Sequence, residues 1–134
     1  MLSDTDVASA SLWEDFSTAV GASTTATFTV AGSYTFQVTV RDAAGATTSS
    51  NVVVTVEPTA SQIVVSPAAA TLIYGGSQVF SANVLDQFGD TLAIQPTLTW
   101  SPGGGGSIDQ AGNFTAQTVG GPYTITATSG SLTG

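Results

Sequence analysis

Apolar and polar positions alternate with period two along this chain, and no window carries the i, i+3, i+4, i+7 apolar spacing of an amphipathic helix. The pattern predicts an all-β fold. Tyr34, Phe36, Val38 and Val40 fall on one face of a strand and Ser33, Thr35, Gln37 and Thr39 on the other, with Asp42-Ala43-Ala44-Gly45 closing it in a hairpin turn. Val52, Val54 and Val56 alternate in the returning strand, and Pro58, which lacks a backbone donor, follows it. Further strands are predicted at residues 62–66, in an edge stretch at 70–74, around Phe80, Ala82 and Val84, around Leu98 and Trp100, and at 113–116 and 123–128. Gly75-Gly76, the turn at residues 86–90 and a slack loop at 102–106 separate them. Short strands spaced by roughly ten residues point to Greek-key β-sandwiches.

An aromatic signature occurs twice. Trp13, Phe28 and Tyr34 are spaced by 15 and 6, and Trp100, Phe114 and Tyr123 by 14 and 9. Two copies of one unit give the expected organisation, with a first domain at residues 1–57, a linker at 58–61 and a second domain at 62–134. Little sequence precedes Trp13, so the first unit is expected to lack opening strands; residues 3–11 stay open between a frayed start and a pairing strand. The second is expected to lack its final strand. Trp13, Phe28, Tyr34, Phe36, Phe80, Trp100, Phe114 and Tyr123 are the expected core, with Tyr34 and Tyr123 placed as tyrosine-corner residues whose hydroxyls bond back to the backbone.

Two stretches resemble known families. Residues 31–45 (AGSYTFQVTVRDAAG) followed by Val52 to Val56 are similar to the closing half of a PKD-type immunoglobulin-like domain, with Trp13-Glu14-Asp15-Phe16 near that family's tryptophan strand. Ile63-Val64-Val65-Ser66-Pro67, residues 75–82, Leu98-Thr99-Trp100-Ser101 and residues 112–116 resemble the bacterial Ig-like (Big2) family. The resemblance implies domains strung in series in large extracellular bacterial proteins, as spacers, adhesion modules or appendages of polysaccharide-degrading enzymes.

Composition narrows the chemistry. With one arginine, no lysine and nine carboxylates the net charge is -8, which repels phosphate backbones and anionic headgroups, so neither nucleic acid nor membrane insertion is expected. No apolar run approaches the roughly 18 residues that span a bilayer, and an export signal, if the parent protein has one, is expected outside this sequence. Without His, Cys or Lys, a Ser-His-Asp triad, a Cys-His pair, a Schiff base, a histidine zinc site and a Lys-Asn isopeptide crosslink are excluded. Glu14 and Asp15 are adjacent and would point to opposite faces of a strand, the wrong arrangement for a glycosidase pair about 5 to 10 Å apart across one sugar. No enzyme is expected, and no cofactor apart from a possible calcium ion.

Calcium takes carboxylate oxygens from turns, which makes Asp86 and Asp90 the metal candidates; the simpler reading is that they are turn formers. Tyr74 and Phe88, beside predicted turns, are the candidate rings for stacking on carbohydrate. Thr97/Thr99 and Thr124/Thr126/Thr128 form T-x-T rows that suit the wet face of a strand, and Asn113-Phe114-Thr115 fits an N-glycosylation pattern by chance.

The expectation that follows is a non-catalytic, extracellular or cell-surface spacer or adhesion module of a larger bacterial protein. Its partners would be neighbouring domains, other copies of the chain, or a surface polysaccharide or protein ligand. Two alternatives stand beside it: a self-assembling fibre subunit completed by strand exchange, with residues 46–57 as the donated strand, and a carbohydrate-binding accessory module of a polysaccharide-degrading enzyme.

Overall fold

The computed structural model describes residues 25–134, and residues 9–12 by their backbone. All described residues are strand, turn or loop, with no helix, in an Ig-like β-sandwich architecture of several small sheets. The chain divides into two compact units, Met1–Pro58 and Thr59–Gly134.

In the first unit, β1 (Ser9–Leu12) runs parallel to β2 (Gly32–Arg41), and β2 pairs antiparallel with β3 (Thr47–Val56). Ser9 to Ser11 therefore belong to a pairing strand. The hairpin holds ten consecutive residue pairs without a register shift, from Gly32↔Val56 to Arg41↔Thr47. Cross-strand partners share a face, so Tyr34/Val54 and Phe36/Val52 line one side while Ser33/Thr55, Gln37/Asn51 and Thr39/Ser49 line the other. The polar side is tied by a 2.8 Å bond between the Thr39 and Ser49 hydroxyls.

Phe28 packs against the apolar side, its ring centroid 4.7 Å from Tyr34 and 6.0 Å from Phe36. Such ring pairs add about 0.5–1.5 kcal/mol each beyond area burial. The Tyr34 hydroxyl donates to the Val30 carbonyl at 2.6 Å, the backward bond of a tyrosine corner. Phe28 reaches only this end of the strand. Val38 and Val40, on the same alternating face, sit opposite Ser50 and Thr48 and stay 45% and 44% exposed, so the expected apolar face is packed over half its length.

The second unit begins with β4 (Ala60–Ser66), which takes up Ala60 and Ser61 from the segment read as linker. It pairs antiparallel with β6 (Ser81–Asp86). A second sheet orders β5 (Ser77–Val79), β9 (Asn113–Ala116) and β8 (Gly106–Ile108) with β9 in the middle; a third orders β7 (Thr99–Pro102), β10 (Ile125–Ser129) and β11 (Leu132–Thr133) with β10 in the middle. No strand forms at residues 70–74. The run that alternation joined divides at Phe80: its N–H still bonds the Gly112 carbonyl at 2.8 Å, continuing the β5–β9 register, whereas from Ser81 the chain pairs with β4, so β5 serves one sheet and β6 another. Beyond β10 the chain turns at Gly130 and returns as β11, and Gly134 exchanges two 2.9 Å backbone bonds with Ala127, so pairing along β10 continues past β11.

The core draws on all three sheets: Ile63, Phe80, Val84, Trp100, Phe114, Ala116 and Ala127 are buried, with Val84 and Ala127 wholly so. Alternation explains this selection, since Ala82, Val84 and Asp86 turn inward from β6 while Ser81 and Asn83 stay wet. Each large side chain removed from water contributes about 1.5–3 kcal/mol.

Candidate functional site

Three of the five carboxylates among the described residues, those of Asp42, Asp86 and Asp109, are spent on turns. Asp42-Ala43-Ala44-Gly45-Ala46, Asp86-Gln87-Phe88-Gly89-Asp90 and Asp109-Gln110-Ala111-Gly112-Asn113 repeat one D-x-x-G-x device. In each the glycine, at φ +89°, +93° and +82°, donates its N–H to the aspartate carbonyl (2.9, 3.1 and 3.1 Å). The aspartate N–H donates to the carbonyl of the fifth residue (2.9, 2.8 and 3.1 Å), and that residue's N–H returns to the carboxylate Oδ1 (2.8, 3.0 and 2.9 Å). This is a type I turn closed by a left-handed glycine, and a carboxylate at its first position satisfies donors the turn leaves over.

Asp86, a calcium candidate, is only 4% exposed, and its Oδ1 accepts from the Phe88 and Asp90 N–H groups at 2.8 and 3.0 Å. Asp90 serves that turn through its backbone and leaves its side chain exposed. Among the described residues no group of three or more acidic side chains is placed to hold a metal ion. Asp109 binds hardest: Oδ1 takes the Ala111 and Asn113 N–H groups, and Oδ2 takes the Asn113 side-chain amide at 2.9 Å. These bonds, the Asn113 side chain's first, hold its carboxyl below the ordinary carboxylate value of 3.8. They also occupy the amide of the Asn113-Phe114-Thr115 pattern.

The two carbohydrate candidates are not brought to one site. Tyr74, 71% exposed, lies in the turn closed by the Gly76 N–H to Ile73 carbonyl bond, and Phe88, half-buried, lies in the Asp86 turn. Neither lines the open depression of about 450 Å³ over the Phe80 and Trp100 rings, whose walls include Ala82, Pro96, Leu98 and Gln110. That depression holds no titratable side chain.

Of the expected core residues, Phe80, Trp100 and Phe114 are buried, Phe28, Tyr34 and Phe36 are half-buried, and Trp13 lies outside the described residues. Tyr123 departs from expectation. It precedes β10, is 41% exposed, and has no counterpart of the Tyr34 backward bond among the bonds that the described residues make. Its ring covers the glycine run instead: a Cβ at Gly105 would collide with it, one at Gly104 would lie 3.1 Å away and one at Gly121 3.2 Å. The run at 102–106 is thus a platform and not a slack loop, with Pro102 ending β7 and Gly106 starting β8. The unequal spacing after each phenylalanine, 6 against 9, was the sign that the two tyrosines differ.

Sequence reasoning missed Gln95. Its amide faces Val84 as a backbone peptide would: Oε1 accepts from the Val84 N–H at 2.7 Å, and Nε2 donates to the Val84 carbonyl at 3.0 Å and to the Leu92 carbonyl at 2.7 Å. A single glutamine between Ile94 and Pro96 carries no pattern that could have shown this.

Residues 9–56, the part of the first unit that holds β1, β2 and β3, match the family model described as K319L-like, PKD domain. No curated protein and no solved structure matches the chain.

Proposed function

We propose that this chain is a non-catalytic spacer or adhesion segment of a larger extracellular or surface-attached bacterial protein. The similarity of residues 9–56 to a PKD domain carries the reading, because Ig-like modules of that kind typically serve outside the cell as passive structure. A second compact all-β unit follows in the same chain, and its resemblance to Big2 modules fits the same use. The D-x-x-G turns support it from the chemistry, since three carboxylates are engaged in holding hairpins.

The test is to hold the full chain by its two ends at constant low force and, in parallel, to pass it over immobilised polysaccharides. A spacer keeps its folded length at a few piconewtons and is not retained. Extension at the lowest loads would refute it, and retention lost on Tyr74→Ala or Phe88→Ala would put carbohydrate binding in its place. Strand exchange has a structural obstacle. The segment it would donate, residues 46–57, contains β3, which is paired with β2 along its entire length.

A further inference from the structure

We propose that β3 is a self-association edge, along which two copies of this chain pair antiparallel about a two-fold axis at Val53, with no exchange of strands. Among the described residues β3 pairs on one side only, with β2. Along its other side every second residue turns its N–H and C=O outward, five residues over the length of the strand, without a partner among the described residues and evenly spaced because the hairpin has no register shift. Edge strands are normally blunted by a charge, a proline, a bulge or a covering group. The sequence of β3, TTSSNVVVTV, contains no charge and no proline, and it leaves Val52 53% and Val53 62% exposed, one on each face.

The second unit shows the contrast. There the edge of β6 beside Val84 is covered by the Gln95 amide and by the Leu92 N–H.

The occupant follows from charge and pattern. Two chains of net charge -8 repel, so they can meet only where carboxylates do not face each other. Centred on Val53, an antiparallel pair sets Val53 against Val53 of the second copy, Val52 against Val54, Asn51 against Thr55 and Ser50 against Val56. Glu57 falls opposite Ser49, an uncharged residue. Valine meets valine at the centre and Asn51 meets Thr55 beyond it, which are favourable cross-strand pairs, and the outer Ser50–Val56 pair opposes no charges. The contact is isologous, so it closes as a dimer.

The experiment is the solution mass of the full chain across a concentration series, by light scattering, for wild type, Val53→Lys, Val53→Glu and a one-to-one mixture of the two variants. Wild type is expected to move from monomer to dimer with concentration. Each variant, with like charges opposed at the axis, should dimerise at least about tenfold more weakly, a loss of about 1.4 kcal/mol. The mixture should recover a dimer that neither variant forms alone. A monomeric wild type, growth into polymers, or a dimer unaffected by Val53→Lys each overturns the proposal. Exposure of Val53 favours retention of the fold, to be checked by circular dichroism. If V53K unfolds, Asn51→Lys combined with Thr55→Glu tests the same register, because it opposes lysine to glutamate twice and should tighten the dimer. None of these outcomes bears on the spacer reading, which is tested by force and retention.

Discussion

Replacing Gln95 by alanine tests whether a side-chain amide stands in for a missing strand. Val84 is wholly buried and pairs with Ile63 of β4 on one side; on the other its N–H has the Gln95 Oε1 as acceptor and its carbonyl takes both the Gln95 amide and the Leu92 N–H. Truncation leaves the N–H without its partner, at a cost of about 1–3 kcal/mol. The Val84 carbonyl keeps Leu92, and the Leu92 carbonyl is near solvent, so those two losses add little. We expect a fall of about 2 kcal/mol in unfolding free energy. Val84 amide exchange should be roughly thirtyfold faster, since 1.4 kcal/mol is a factor of ten. Urea unfolding and hydrogen exchange by nuclear magnetic resonance measure the two quantities. Gln95→Glu sharpens the test: it keeps an acceptor for Val84 N–H but turns lone pairs toward two carbonyls, so it should be at least as damaging at neutral pH and partly recover in acid, when a protonated carboxyl can donate. A loss below about 0.5 kcal/mol with unchanged Val84 protection would refute the reasoning.

Three further outcomes are expected. Gly105→Ala should cost about 1–3 kcal/mol, because φ is +76° and the new methyl meets the Tyr123 ring; in a Tyr123→Ala background the cost should shrink to the backbone part, a non-additivity that a double-mutant cycle measures. Asp109 has a lowered folded pKa, so its stabilising contribution is fully present above the ordinary value of 3.8 and is lost as pH falls below it through the folded value; carboxyl titration and the unfolding midpoint followed below pH 5 should show that loss, and Asp109→Ala should remove it. Asp86→Ala should lower stability by about 2 kcal/mol by freeing the Phe88 and Asp90 N–H groups, and millimolar calcium should leave the wild-type melting temperature unchanged; a calcium-dependent rise abolished by Asp86→Ala would make Asp86 a ligand.

Period two and turn chemistry were legible because they are local. The alternation at Tyr34 to Val40 and Val52 to Val56 became β2 and β3, and Phe80, Trp100 and Phe114 became core, since a strand has one buried face and large apolar residues fill it. The D-x-x-G repeat at 42, 86 and 109 was equally present in the sequence, and its third copy would have exposed Asp109 as a turn residue. Of the candidate site residues, Asp86 was readable as a turn former by the same token. Tyr74 and Phe88 were readable only as residues beside turns, because nothing in the chain order says whether two turns converge.

The sequence by itself determined that this protein is built of short strands, where most of them turn, and that histidine, cysteine and lysine chemistry is closed to it, because composition, periodicity and turn preference act over a few residues. Tertiary structure alone decided which backbone edges are covered and which are open: that Gln95 seals β6, that the Tyr123 ring lies on glycines instead of in the core, and that β3 is covered by β2 on one side only among the described residues. Such pairings join positions distant in the chain through hydrogen bonds and contacts that no short window contains, and they exist only once the register of each sheet is set.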